Sequence, residues 1–295
     1  MFSVWSALPQ AALPSSLLSL QDLIPLGRWP LILLGTLLLL QFLRRKSGAP
    51  LLQLVGEMLI VIPAYFLYFL VRGFVQGREA EAIERAVKII DFQKGLNIFW
   101  EPALQSYMLR FDWLVTLANW VYIWGHWPVI VFVALWLFLL HRENYAVYRN
   151  AFLISGAIGL AIFAFFPVAP PRLVDGIGMI DTIAENSGAY RMLQPPAFVN
   201  QYAAMPSLHF GWNLLVGIAI ARHGTGLLMK SFGLFSPLLM LASIVLTANH
   251  FIIDAFAGGA LAVLGLLIAY LIHQRGKGEE IESPSQGQQI SAPAA

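Results

Sequence analysis

Apolar runs long enough to cross a bilayer alternate along this chain with short stretches rich in Pro, Gly and basic residues. A hydrocarbon core about 30 Å thick takes roughly 20 helical residues. Runs approaching that length lie at Arg28 to Leu43, Leu51 to Val71, Trp113 to Leu140, Ala151 to Phe166, Leu208 to Ala221, Gly233 to Thr247 and Phe251 to Ile272. The pattern predicts an all-α, polytopic membrane bundle with about seven spans. Its expected divisions are an interfacial segment (1–27), two N-terminal spans (28–72), an extracytoplasmic segment (73–112), a transmembrane core (113–273) and a disordered cytoplasmic tail (274–295). The tail is rich in Gly, Ser, Pro, Gln and Glu. Residues 1–27 lack the basic region and small-residue cleavage site of a secretory signal, and are read as an uncleaved leader.

Within the extracytoplasmic segment, Arg78 to Gln93 sets Ala82, Ile83, Ala86, Val87, Ile89 and Ile90 against Glu79, Glu81, Glu84, Arg85, Lys88 and Asp91. This is the pattern of an amphipathic helix lying on the membrane, as a scaffold packed on the core or as a lid over a lipid entrance. Orientation follows from the basic residues. With Arg44, Arg45 and Lys46 inside, alternation also puts Arg142 and Arg149, Arg222 and Lys230, and Arg275 and Lys277 inside. Residues 73–112, 167–207 and the turn near Asn249 then lie outside, with the C-terminus cytoplasmic in a multi-pass cell-membrane protein.

Composition sharpens the picture. The chain is 58% hydrophobic and 12% charged, so the bilayer is its expected partner. A net charge of +2 with scattered cations points to no nucleic-acid surface. The absence of cysteine excludes disulfides, thiolate metal sites and thiol nucleophiles. Composition does not speak to oligomeric state.

Three polar clusters interrupt the apolar sequence, and all fall on the outer side: Pro167 to Leu173 around Arg172, Ala204 to His209, and Asn249 to Asp254. His250 and Asp254 are four residues apart, hence on one helical face. The carboxylate can fix the imidazole tautomer and leave the other nitrogen for attack, or the pair can simply tie two helices together. His209 follows Pro206 and Ser207 at a helix start suited to phosphate oxygens. It can serve as a general acid or as a packing residue. Arg172, stiffened by Pro170 and Pro171, matches the oxygens of a phosphate, or anchors the loop among lipid headgroups. Asn200, Gln201 and Tyr202 can contact an acceptor or brace the loop. No third His or carboxylate stands at a metal-site spacing, so neither metal nor cofactor is expected.

At these residues the sequence resembles the type-2 phosphatidic acid phosphatase and vanadium haloperoxidase superfamily. The likeness rests on an Arg-bearing motif, Pro-Ser-x-His (Pro206, Ser207, His209) and His-x3-Asp (His250, Asp254) followed by Gly258. It covers roughly Phe111 to Tyr270. Pro-x-Ala-Pro-Pro-Arg and Pro-Ser-Leu-His look like the branch that includes fungal inositol phosphorylceramide synthase, an inositolphosphotransferase. The resemblance implies a six-helix catalytic core, here with one extra N-terminal span, and a phospho-histidine intermediate without metal. It implies His250 as nucleophile, Asp254 as its orienter, His209 as acid, and Arg172 and Ser207 as phosphate binders.

Several positions depart from the usual motifs. Phe165 stands where the first motif has Lys, Leu173 follows Arg172, Ile244 after Ser243 replaces an Arg, and Leu208 occupies the place of a Gly. Two of three phosphate-binding cations are missing, and Arg191 is the nominated substitute. A monoester phosphate carries nearly two negative charges and a diester one, so fewer cations suit a diester. The expected activity is therefore transfer of a phosphoryl headgroup from a phospholipid, sphingolipid-like or polyprenyl phosphate donor to an alcohol. The alternatives are a lipid-phosphate or polyprenyl-pyrophosphate phosphatase and, in another class, a non-catalytic transporter or scaffold.

Overall fold

The computed structural model describes residues 50–73, 77–186 and 201–282. The run expected at Arg28 to Leu43 lies outside them. The chain divides into two compact units, residues 1–65 and 66–295. Described in the first is the start of helix α1 (Pro50–Gly73), with its apolar stretch Val55–Ala64 and an internal Pro63.

The second unit continues with α2 (Glu79–Gly95), α3 (Glu101–Met108), α4 (Asp112–Trp124), α5 (Trp127–Leu140) and α6 (Arg142–Phe165). A 3-10 turn (Pro171–Leu173), α7 (Thr182–Asn186), α8 (Leu208–His223), α9 (Gly226–Leu246) and α10 (Ile252–Glu282) complete it. The architecture is all-α: among the described residues the β pairing is an isolated bridge between Val168 and Ala203. Helices α6, α9 and α10 are each long and apolar enough to cross a membrane, and α4 with α5 forms a fourth candidate. Large side chains such as Phe132, Leu139, Leu140, Leu227, Leu228 and Phe256 are exposed. That much outward apolar surface suits lipid, which has no cohesive water network to exclude it.

Three expectations about elements are corrected. Trp113 to Leu140, read as one run, is two helices meeting at a 45° bend. Pro128 in the first turn of α5 has no N–H to continue the ladder, and its ring disfavours helix just before it, so the chain breaks at Gly125 and His126. Helices α6 and α9 begin at Arg142 and Gly226, well before their apolar runs, because a helix propagates through polar residues once it is nucleated. For the same reason α10 continues to Glu282, past the boundary expected at residue 274.

A central cluster joins α6 (Val147, Ala151, Phe163), α8 (Leu208, Trp212, Leu215) and α10 (Leu261, Ala262, Ala269). The backbones approach closely where glycines remove side chains. A Cβ on Gly217 would lie 2.4 Å from the Gly233 carbonyl, which locks α8 against α9. A Cβ on Gly258 would lie 2.0 Å from the carbonyl of Ser207, and one on Gly211 would lie 2.4 Å from that of Gly258. Helix α10 therefore meets the start of α8 at backbone contact.

The amphipathic segment forms α2 and buries Ala82, Ala86, Ile90 and Gln93, a stripe at helical spacing. The apolar part packs against Val168, Ala169, Val174, Ala204 and Phe251. Its polar face acts too. Arg78 donates to the carbonyl of Ala164 at 2.6 Å, and Arg85 donates to those of Phe165 and Pro167. Two cations thus cap the carbonyl end of α6, where the helix dipole is negative. Glu81 pairs with both, and the Arg78 hydrogen bond holds its carboxyl below the usual range. Ile83 and Val87 face outward.

The Gly258 contact yields a prediction. Gly258→Ala forces α10 away from Ser207 and should cost about 2–4 kcal/mol, as overpacking against backbone does. Gly276→Ala, where a Cβ meets open space, should change little. Thermal unfolding of the detergent-solubilised variants measures both.

Candidate active site

Two helix starts and one loop converge here. The Pro-Ser-Leu-His segment opens α8 with Ser207 as its N-cap, the hydroxyl accepting from the N–H of Phe210 at 3.4 Å. The peptide bond before Pro206 is cis. The amide of Ser207 donates to the carbonyl of Asp254 at 2.8 Å, tying this turn to the first turn of α10. His209 and His250 thereby come to one side of the bundle, with ring centroids 5.6 Å apart.

His250 is nearly buried, and its Nδ1 lies 2.8 Å from the carbonyl oxygen of Ala204. A carbonyl only accepts, so Nδ1 carries the proton and Nε2 is the basic nitrogen. The carboxylate of Asp254 lies farther from the same nitrogen, 3.6 Å. Its closer partner is the amide of Phe251, at 2.8 Å. The sequence suggests Asp254 as the orienter of the imidazole. In the structure the short bond is to Ala204, while Asp254 caps the turn that carries His250 and sets its carboxyl group beside Nδ1.

Arg172 enters from the Pro-rich loop. Its backbone N–H donates to the carbonyl of Ala248 at 3.1 Å, which joins the first cluster to the third. Nη1 donates to Asn249 Oδ1 at 2.5 Å, and Nε lies 3.3 Å from Asp181. Asn249 is aimed by its other end: Nδ2 donates to the carbonyl and hydroxyl of Thr247, at 3.1 and 2.9 Å. The amide oxygen must therefore face the guanidinium. Thr247 in turn donates to the carbonyl of Ser243, whose hydroxyl donates to Ala118 of α4.

One pocket is lined by Arg172, Gln201, His209, Asn249 and His250, with Tyr122, Leu208 and Ala204 among its walls. Ser207 is fully buried behind that wall, and its hydroxyl caps α8. Of the acceptor candidates, Gln201 lines the pocket. Tyr202 instead packs beside α2, and burial first, then the nearby Glu79 carboxylate, pushes its phenol up. Asn200 and Arg191 lie outside the described residues.

The departures from the usual motifs have structural counterparts. Ile244 is fully buried with Tyr122, Met240 and Ala255, so the position of the missing Arg is filled by apolar packing. Phe165, at the position of the missing Lys, is 79% exposed. Leu208 finds its room over Gly159, where a Cβ would lie 3.2 Å from the leucine methyls.

Sequence reasoning missed five residues that shape the site. Tyr122 and His126 pack on His209. Asn249 holds Arg172. Glu101, fully buried on α3, accepts from the amide of Ile252 at 2.9 Å and from Gln93 at 2.6 Å, so it caps the start of α10. Gln105 links Ile180 to the end of α9 through three hydrogen bonds of 2.9 Å.

The profile of the PAP2 superfamily matches residues 87–268, more than half of the chain and all of the pocket. No curated protein and no solved structure matches it. With its three motifs gathered at one pocket of a helical membrane bundle, the chain belongs to the PAP2 superfamily, phosphatase-type enzymes acting on lipid phosphates.

Proposed function

We propose that this protein transfers a phosphoryl headgroup from a lipid phosphodiester to an alcohol through a phospho-histidine at His250. One observation carries the reading: two imidazoles 5.6 Å apart flank a pocket that also holds a guanidinium, and the inner nitrogen of one is anchored to a carbonyl.

The chemistry follows from those positions. The Nε2 lone pair of His250 attacks phosphorus, the N–P bond forms, and the P–O bond to the departing lipid alcohol breaks. His209 gives that oxygen its proton. Negative charge on the remaining phosphate oxygens is met by Arg172 and by the backbone N–H groups of Leu208 and His209 at the start of α8. In the second half, the acceptor hydroxyl gives its proton to His209 as its oxygen attacks phosphorus and the N–P bond breaks. Asp254 and the Ala204 carbonyl keep the imidazole in one tautomer throughout and stabilise it as it gains positive charge.

Charge selects the substrate class. Arg172 is the described cation lining the pocket, and the Asp181 carboxylate already offsets part of its charge. Such a site suits the single negative charge of a diester better than the two of a monoester. The branch resemblance points the same way, to a phosphoinositol-type headgroup and a ceramide-like acceptor, with Gln201 contacting the incoming alcohol. The distribution of basic residues supports an extracytoplasmic pocket, with α10 ending in the cytoplasm.

Purified protein in mixed vesicles of phosphatidic acid, phosphatidylinositol and ceramide should transfer headgroup from the diester. His250→Ala should lower turnover by about four or more orders of magnitude, as loss of a nucleophile does. Release of inorganic phosphate alone, with no headgroup transferred or cleaved, defeats the transferase reading. The lack of cysteine gives a clean topology test. Asp91→Cys should react with an impermeant maleimide added outside intact cells, and Lys277→Cys only after permeabilisation; the reverse pattern overturns the orientation.

A further inference from the structure

His126 is nearly buried, belongs to none of the three motifs, and sits at the break between α4 and α5. Its ring centroid lies 4.3 Å from that of His209, with planes 33° apart. On α4, Tyr122 stacks on the same imidazole at 4.7 Å and 21°. Two rings at such distances and low angles cannot share one face of an imidazole, so they flank it. The edge of His209, where both nitrogens lie, is the part of the ring that these two contacts do not cover.

The outer ring of this stack is itself held. Asn213, one turn along α8, donates from Nδ2 to the carbonyl of His209 at 2.9 Å. That contact identifies Nδ2 as the amino end of the amide. The same nitrogen lies 3.0 Å from His126 Nδ1, which must therefore accept and carry no proton. His126 is thus a neutral imidazole whose π face meets His209, and it is backed in turn by Trp212, stacked at 6.0 Å and 8°. A protonated His209 between two neutral rings gains cation–π stabilisation without like-charge repulsion.

We propose that His126 and Tyr122 are positioning residues that clamp His209 between them and aim its edge at the oxygen leaving phosphorus. The clamp rests on the reading of His209 as the acid. Stacking contacts resist tilt of the ring yet leave its nitrogens to the proton transfer, which is what an acid serving two successive oxygens requires.

The experiment uses the full-length protein in the mixed phosphatidic acid, phosphatidylinositol and ceramide vesicles, counting phosphate release and headgroup transfer together. His126→Ala should lower kcat by about 10- to 100-fold with KM within about 3-fold, the scale of a misplaced catalytic group. His126→Phe restores a flat ring without nitrogens and should recover kcat to within about 3-fold of the parent. Tyr122→Phe, which keeps the ring, should retain a kcat at least about 5-fold above that of Tyr122→Leu, which should behave like His126→Ala. An unchanged kcat in His126→Ala overturns the clamp. So does a loss in His126→Phe as deep as in His126→Ala, since the nitrogens and not the ring would then matter. If His126→Ala does not fold, the Tyr122 pair decides alone: equal kcat in Phe and Leu overturns the proposal. His250→Ala run in parallel separates the two ideas, because activity surviving there refutes the phospho-histidine reading itself.

Discussion

The amide of Ser207 bonded to the carbonyl of Asp254, at 2.8 Å, joins the starts of two helices that carry the two imidazoles. Such a bond needs the backbones almost touching, and Gly258 permits it by having no side chain where the Ser207 carbonyl lies. The rest of the site hangs from this joint. With it in place, Ala204 reaches His250 from the segment just before α8, and Arg172 reaches Ala248 and Asn249 from the loop after α6. Three segments far apart in the chain are thus stitched by backbone groups, which do not depend on rotamer choice. Side chains then need only small adjustments to face one phosphate, and preorganisation of that kind is where much of an enzyme's rate comes from.

Placement of positive charge is the second theme. Arg78 and Arg85 are near in space to the Arg172 loop but are committed to carbonyls at the end of α6 and to Glu81. They stabilise the loop's origin rather than the substrate. Ile244 closes with apolar packing the position where a second cation is usual, and Phe165 turns the first one outward. Among the described residues the pocket's positive charge is that of Arg172, in keeping with the diester substrate proposed above, and Asn249 fixes the direction of that guanidinium instead of adding charge.

The motif residues were legible in the sequence because chemistry demands rare polar types inside apolar runs. Helix existence was legible for a similar reason, since hydrophobic runs of span length have few alternative uses. The supporting residues were not. His126 lies in an aromatic stretch where a histidine reads as one more ring, and its partner His209 is more than eighty residues away. Glu101 and Gln105 sit on a helix of eight residues with no strong periodicity, and apart from Gln93 their partners are more than seventy residues away. Asn249 stood in a motif, yet its task depends on which end of its amide Thr247 holds. The role read for Asp254 was shared out for a comparable reason: spacing of four shows which residues share a face, but not that a carbonyl from another segment will come nearer.

The bend between α4 and α5 ties these observations together. The stack on His209 needs its two outer centroids separated by nearly the sum of 4.3 and 4.7 Å. The helix breaks at His126 (φ −100°, ψ −91°), whose own ring packs on His209, and α5 leaves at 45°, so the interruption that divides the span falls beside the proposed acid. Pro128 enforces the break from the far side, where it touches nothing in the pocket. A residue with no chemistry of its own thereby helps end the helix at the ring that packs on the proposed proton donor.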